Sequence, residues 1–225
     1  MKIIFNRIIN IPAFLIIVSI VTACGGDESE VGRVVVGRSS VLFSLNELQY
    51  QDPYVVQVSD VDGNAIANAS ISVSLKNISY NKGAYQRSES GWISIITATC
   101  SAEDINNNGF IEPGEDINNN ARLDPTNAAT ITAHPKLEPT FQAGTNTIVT
   151  DESGFGYFSI TYPKSESLWS RIEVKVNASI KGTEQDAFFT QTLLVLEEDV
   201  SDETIDPPGG VVSSYGQSTD CINEN

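Results

Sequence analysis

Apolar and polar residues alternate along several segments of the chain. Ile71, Val73 and Leu75 are separated by polar residues, and the ranges 158–162 and 172–180 repeat this period of two. Such a period places one face of a β-strand against a core and the other in water. Further strands are predicted over 54–58, 92–99, 128–133 and 187–196. Because no stretch keeps a helical period and polar turns separate these segments, the sequence predicts an all-β fold, a β-sandwich.

Two of these segments carry a family resemblance. The stretch VQVSDVDGNAIANASISVSL, from Val56 to Leu75, is similar to the opening strands of bacterial Ig-like domains of the invasin and intimin type. The stretch TDESGFGYFSITY, from Thr150 to Tyr162, resembles a later strand pair of the same domains. Ala65 stands where the family often has Pro. The resemblance spans residues 50–197 and implies an Ig-like β-sandwich with a role in adhesion or surface display rather than catalysis.

The first 23 residues are typical of a secretion signal, which is removed and takes no part in the fold. Lys2 and Arg7 precede an apolar run over 8–21, which is short for a membrane span of about 20 residues. Ala23 then comes directly before Cys24, an ending that resembles the lipobox of bacterial lipoproteins. The resemblance implies that acyl chains such as palmitate on Cys24 anchor an otherwise soluble protein. A short transmembrane anchor and plain secretion are the alternatives.

The residue after Cys24 bears on the destination of the protein. In lipoproteins an Asp at this position favours retention in the inner membrane, and Gly25 stands there instead. The resemblance therefore implies the outer membrane, with a periplasmic or a surface-facing orientation. Residues 24–49 are interpreted as the lipidated spacer and first strand region, and residues 198–225 as an acidic tail containing Pro and Gly.

Two cysteines remain once Cys24 carries lipid. An exported protein folds in an oxidising compartment, where the lone pair Cys100 and Cys221 favours a disulfide. Two free or intermolecular thiols are the alternative, because the sequence does not reveal the distance between the two residues.

The charge balance limits the partners of the protein. The whole chain has a formal net charge of −16, and removal of residues 1–23 takes away two basic residues and no acid. Such a chain repels phosphate backbones, which excludes nucleic acid, and it suits divalent cations. The single histidine, His134, has no recognisable nucleophile motif to serve, so the sequence predicts that the protein is not an enzyme.

Residues 101–127 interrupt the β pattern with a tandem repeat. DINNNGFIEPGE, from Asp104 to Glu115, is followed directly by DINNNARLDPTN, from Asp116 to Asn127. The first copy matches the calcium loop of the EF-hand, D-x-[DN]-x-[DN]-G-x₅-E, in full. Ca²⁺ takes about six to eight oxygen ligands, and a loop that curls round the ion offers them at alternate positions. The repeat therefore predicts a structural site for one or two Ca²⁺ ions.

The spacing assigns the ligands of each copy. In the first copy they are Asp104, Asn106, Asn108, the Phe110 carbonyl, Glu112 and Glu115. In the second copy they are Asp116, Asn118, Asn120, the Arg122 carbonyl and Asp124. Ala121 replaces the glycine, which costs about 1–2 kcal/mol if its φ is positive, and Asn127 replaces the final glutamate. The second site is therefore expected to be weaker, or to borrow Glu115 from its neighbour.

The setting of the repeat differs from that of an EF-hand. A predicted strand precedes it, and Pro113 and Pro125 oppose helices, so the segment resembles thrombospondin type 3 repeats or dockerin loops. Ile111, at the eighth position, is expected to point into the protein. These features predict a calcium-binding Ig-like lipoprotein that is structural or adhesive, with a protein or glycan partner at the cell surface.

The alternative function is a calcium-dependent carbohydrate-binding module. Such a module would stack sugars on exposed aromatic rings, for which Trp92, Trp169, Tyr157 and Tyr162 are the candidates. The competing interpretation is that these rings fill the core of the sandwich.

Overall fold

Ten β-strands and two short 3₁₀ turns form the regular structure of the described residues. The computed structural model describes residues 31–126, 128–135, 144–180 and 183–223, and no α-helix occurs within them. The strands are β1 (Val31–Arg38), β2 (Phe43–Ser44), β3 (Gln49–Asp60), β4 (Ser70–Ser88), β5 (Gly91–Ser101), β6 (Thr130–Thr132), β7 (Thr147–Val149), β8 (Phe155–Pro163), β9 (Ser170–Ile180) and β10 (Thr183–Thr192). The 3₁₀ turns span Lys164–Glu166 and Glu197–Asp199.

The strands pair in two antiparallel sheets. The first has the order β1-β3-β8-β6, with β2 also paired to β3, and the second has the order β10-β9-β4-β5, with β7 also paired to β4. In chain order these neighbours reproduce the A-B-E-D and G-F-C sheets of immunoglobulin domains, with β5 as an added C′ strand. The predicted Ig-like β-sandwich is confirmed.

The main core lies between the two sheets. Val56, Ile71, Phe158, Ile160 and Val174 are completely buried in it. Burial of each such side chain contributes about 1.5–3 kcal/mol. The period of two in the sequence therefore identifies the faces of the strands that meet in the core.

A second, smaller core lies beyond the main one. There β4 and β5 continue as a hairpin, and Tyr80, Tyr85, Trp92 and Trp169 pack with Tyr215 from the C-terminal segment. Within the acidic tail predicted over 198–225, residues 201–206 are exposed, whereas Pro207, Ser213 and Tyr215 are buried against the protein. None of the described residues forms a helix long and apolar enough to cross a membrane.

Backbone hydrogen bonds and a disulfide fix this C-terminal segment. The Tyr85 N–H donates to the Val211 carbonyl over 2.7 Å, and the Gly83 N–H donates to the Gly216 carbonyl over 2.9 Å. Cys100 and Cys221 are joined, with their Cα atoms 5.6 Å apart, which confirms the predicted disulfide. The buried Lys82 ammonium donates to Ser218 Oγ over 3.1 Å, beneath the same segment. The predicted lipidation site, Cys24, lies outside the described residues.

Candidate functional site

The tandem repeat connects the two sheets, running from the end of β5 to β6. Each copy curls around the aspartate at its first position. Asp104 accepts the N–H groups of Asn108 and Gly109 over 3.0 and 2.8 Å. Asp116 accepts those of Asn120 and Ala121, both over 3.0 Å. The sequence repeat is therefore also a structural repeat, and we call the copies loop 1 (104–115) and loop 2 (116–127, described to 126).

In each loop the side chains at the third and fifth positions converge on the acid at the ninth. In loop 1 the Asn106 and Asn108 amides donate to the Glu112 carboxylate over 2.8 and 3.2 Å. In loop 2 the Asn118 and Asn120 amides donate to Asp124 Oδ2 over 2.9 and 2.8 Å, respectively. The side chains of the predicted ligands at these positions thus face one another in both loops.

One glutamate closes each loop. Glu115, the last residue of loop 1, accepts the Ile105 and Glu112 N–H groups of its own loop, each over 3.0 Å. Glu103, which precedes loop 1, reaches across to loop 2 and accepts the Ile117 N–H over 3.1 Å and the Asp124 N–H over 3.0 Å. Glu103 and Glu115 therefore have the same role. Each accepts the N–H groups of the second and ninth residues of one loop.

The sequence prediction missed Glu103. Both Glu115 oxygens accept N–H groups of loop 1, and the corresponding N–H groups of loop 2 donate to Glu103 rather than to Glu115. A signal was present, since the string EDINNN begins at Glu103 and again at Glu115. The EF-hand pattern begins at the aspartate and therefore does not include the glutamate before it.

Loop 2 is the more deeply seated of the two. Glu103 is completely buried, and Asp124 and Asn118 are nearly so. Burial raises the pKa of the Glu103 carboxyl above its ordinary value. Leu123, at the eighth position of loop 2, is buried, whereas Ile111 at the same position of loop 1 is 47% exposed. The expectation that Ile111 points into the protein is therefore wrong, because loop 2 occupies the position next to the sheets.

The charge of this segment is poorly balanced. Residues 101–126 contain six carboxylates and a single basic residue, Arg122. Arg122 Nε donates to Asp124 Oδ1 over 2.9 Å, and its Nη2 donates to the Ser214 carbonyl over 3.3 Å. The arginine therefore neutralises part of loop 2 and ties it to the C-terminal segment. No basic residue belongs to loop 1.

The oxygen atoms that the two loops offer are of the kinds that a hard divalent ion takes as ligands. Within the described ranges, no group of three or more His, Cys, Asp or Glu side chains is gathered as a metal site. The predicted ligands of each loop, however, include amide and carbonyl oxygens as well as carboxylates, and these are the donors that Ca²⁺ takes. The carboxylate oxygens that accept one N–H keep a second lone pair.

The backbone of loop 2 carries the strain expected from its sequence. Ala121 has φ of 61°, and its counterpart Gly109 has φ of 77° with open space where a Cβ would lie. We expect Ala121→Gly to stabilise the protein by about 1 kcal/mol and Gly109→Ala to destabilise it by about 1–2 kcal/mol. Urea unfolding measures both. Loss of stability in Ala121→Gly would contradict this account of the loop.

The aromatic rings proposed for sugar stacking do not form an exposed platform. Trp169, Tyr162 and Trp92 are 1%, 0% and 8% exposed, and Tyr157 is half-buried. The competing interpretation, that the rings fill the core of the sandwich, is confirmed for Tyr162, whereas Trp92 and Trp169 are buried in the second core. His134 is also buried, with its Nε2 2.7 Å from Ser39 Oγ and its ring against Tyr157.

A groove of about 790 Å³ lies away from the loops, between the turn before β3 and the C-terminal segment. Its walls include exposed Leu48 and Ile205 and the ion pair between Lys164 and Asp199, whose Nζ and Oδ2 are 2.9 Å apart. None of the predicted ligands lines it.

Comparisons with known proteins add little to this description. No family model and no curated protein matches the chain. The GAE domain of GGA2p from Saccharomyces cerevisiae is similar over 73% of this chain and 92% of that one, at 8% identity and a TM-score of 0.28. A DUF4466 family protein from Parabacteroides merdae is similar over 73% of this chain and 44% of that one, at 9% identity and a TM-score of 0.26. At these scores neither likeness carries an argument about function.

Proposed function

We propose that the protein is a calcium-binding, lipid-anchored Ig-like surface protein with a structural or adhesive role. The observation that carries this proposal is the pair of loops, which gather oxygen donors at alternate positions and hold six carboxylates against one arginine. The ion would supply the positive charge that this segment lacks. Its function would be to hold the connection between the sheets in one conformation.

The residues of loop 1 fit the ion better than those of loop 2. Asp104, Glu112 and Glu115 bring three carboxylates with no basic residue among them. In loop 2 the guanidinium of Arg122 already pairs with Asp124, and a second cation there would be repelled. We therefore propose that loop 1 is the stronger site. Extracellular modules bind Ca²⁺ with dissociation constants of about 10⁻⁴–10⁻³ M, which suits a compartment open to the outside.

The proposal of a lipid anchor is based on the sequence before β1. Acylation of Cys24 would leave residues 25–30 as a polar spacer between the membrane and β1. Each buried CH₂ of an acyl chain contributes about 0.8 kcal/mol, so several chains hold the protein firmly. The sandwich and its loops would then be held close to the outer membrane.

Limited proteolysis tests whether calcium orders the loops. Trypsin cleaves after Arg122, the single basic residue of this segment. We expect millimolar Ca²⁺ to slow this cleavage by about tenfold or more relative to EDTA, because an ion that binds only the closed loops stabilises them by mass action. Cleavage after Arg171, which lies in β9, serves as the internal control.

Two variants make this experiment specific. Asp104→Asn with Asp116→Asn removes one charge from each loop at constant shape, and we expect cleavage after Arg122 to lose its calcium dependence. Glu89→Gln, in the exposed turn between β4 and β5, is the matched control and keeps that dependence. Equal cleavage rates in calcium and EDTA for the unaltered protein would show that Ca²⁺ does not order loop 2 and would confine the proposed site to loop 1.

A further inference from the structure

The groove between the turn before β3 and the C-terminal segment has exposed apolar walls. Leu48 is 76% exposed and Ile205 is 65% exposed, and Pro163 and Pro208 line the same groove. Apolar side chains that are exposed together in one concave surface, rather than singly, are typical of a binding site. No aromatic ring lines the groove, so it offers no surface on which a sugar could stack.

The rim of this groove is acidic. Five of the 14 residues that line it are acids, compared with 29 of 225 in the whole chain. Lys164 is the one basic residue of the lining, and its Nζ lies 2.9 Å from Asp199 Oδ2, so this ion pair uses the only local cation. The other acids of the lining form no ion pair among the described residues, and they are Glu47, Glu198, Asp202 and Asp206. The groove therefore carries an excess of negative charge.

Close packing and a hydrogen bond hold the C-terminal wall of the groove in place. Gly209 has φ of 81°, and a Cβ on it would lie 2.7 Å from the Cα and Cβ atoms of Ser165. The C-terminal segment therefore comes this close to the first 3₁₀ turn only because a glycine stands there. Trp92 Nε1 donates to the Ile205 carbonyl over 2.7 Å, which ties the same wall to the second core. Because the groove is already formed, a ligand would need to order little of it.

We propose that this groove binds a basic segment of a partner protein, with an apolar side chain of the segment against Leu48 and Ile205. Charge complementarity decides the occupant. Lys or Arg side chains would neutralise the acidic rim, whereas an acidic partner, or a second copy of this chain with its net charge of −16, would be repelled. A polypeptide presents apolar and charged side chains within a few residues, which matches an apolar centre with a charged rim. None of the predicted calcium ligands lines the groove, so this inference does not rest on the calcium site.

Fluorescence anisotropy with labelled hexapeptides tests this inference on residues 24–225 carrying Cys24→Ser, so that the protein stays in solution. All described contacts lie after residue 30, so the fold is retained. The titration is done in EDTA and at about 0.15 M salt, where attraction between distant exposed charges is screened. We expect a peptide of alternating Lys and Leu to bind with saturation and a peptide of alternating Glu and Leu not to bind. A peptide of alternating Lys and Ser keeps the charge without the apolar side chains and is expected to bind at least about tenfold more weakly.

Variants at exposed positions locate the binding. Glu47→Gln combined with Glu198→Gln removes two charges from the rim, and we expect it to weaken binding of the Lys–Leu peptide at least about tenfold. Ile205→Ser removes part of the apolar wall and is expected to have an effect of the same size. Glu152→Gln combined with Glu184→Gln removes the same charge from exposed positions outside the groove and is the matched control, which leaves binding unchanged.

Two outcomes would overturn this inference. One is a Lys–Leu peptide that does not bind. The other is equal weakening by the two double variants, because the peptide would then respond only to the overall negative charge of the protein. Either result, obtained in EDTA, leaves the calcium proposal unaffected.

Discussion

Replacement of both Cys100 and Cys221 by serine is expected to lower the free energy of unfolding by about 4–5 kcal/mol. The bridge joins residues 121 positions apart, and on the chain-entropy model a closed loop of this length gives an effect of that size. The bridge also holds the C-terminal segment on the second core, where Tyr215 is 5% exposed. Guanidinium unfolding followed by tryptophan fluorescence measures the change, because Trp92 and Trp169 both lie in that core.

Two controls accompany this experiment. Reduction of the unaltered protein with dithiothreitol is expected to give the same loss of stability, whereas Cys24→Ser is expected to give none. A loss below about 1 kcal/mol in the double variant would show that packing alone fixes the C-terminal segment.

Removal of the Glu103 carboxylate is expected to open loop 2 and leave loop 1 closed. Glu103→Ala leaves the Ile117, Asn118 and Asp124 N–H groups without their acceptor. A buried donor left unpaired costs about 1–3 kcal/mol, so we expect a total loss of about 3 kcal/mol or more. Amide hydrogen exchange locates the effect, with lost protection at Ile117 and Asp124.

Glu115→Ala is the matched counterpart in this experiment. It removes the acceptor of the Ile105 and Glu112 N–H groups and is expected to expose those two amides instead. The assignment of Glu103 to loop 2 and Glu115 to loop 1 is contradicted if Glu103→Ala exposes the amides of loop 1, or if both variants expose the same residues.

The fold was largely predictable because its main signal is local. The alternating ranges 158–162 and 172–180 lie within β8 and β9, and their apolar residues up to Ala178 face the core. The disulfide was predictable from a different argument, because two cysteines in the oxidising compartment that the signal sequence predicts have few other outcomes. Both predictions needed only the types of residues and their spacing.

The remaining features depend on contacts between distant residues. The acidic residues 201–206 are exposed, as their composition suggests, but Tyr215 and Cys221, farther along, pack on a core formed by β4, β5 and Trp169. Glu103 and Asp124 are likewise 21 positions apart, and their contact follows from how the loops stack. A motif that treats each loop alone therefore finds the ligand spacing and misses the contact of Glu103 with loop 2.

Contacts between distant residues also explain the difference between Ile111 and Leu123. Both occupy the eighth position of their loops, so the motif predicts that both point inward. Leu123 is 6% exposed and Ile111 is 47% exposed, because loop 2 lies next to the sheets. Equivalent positions in a tandem repeat therefore have different environments when one copy packs against the sheets and the other does not.

Calcium binding is the central claim, and calorimetric titration of metal-free protein tests it most directly. We predict saturable heat for one or two Ca²⁺ ions per chain, abolished when Asp104→Asn and Asp116→Asn are combined and retained in Glu89→Gln. A chain that gives no heat and no shift in melting temperature at millimolar Ca²⁺ would contradict the account.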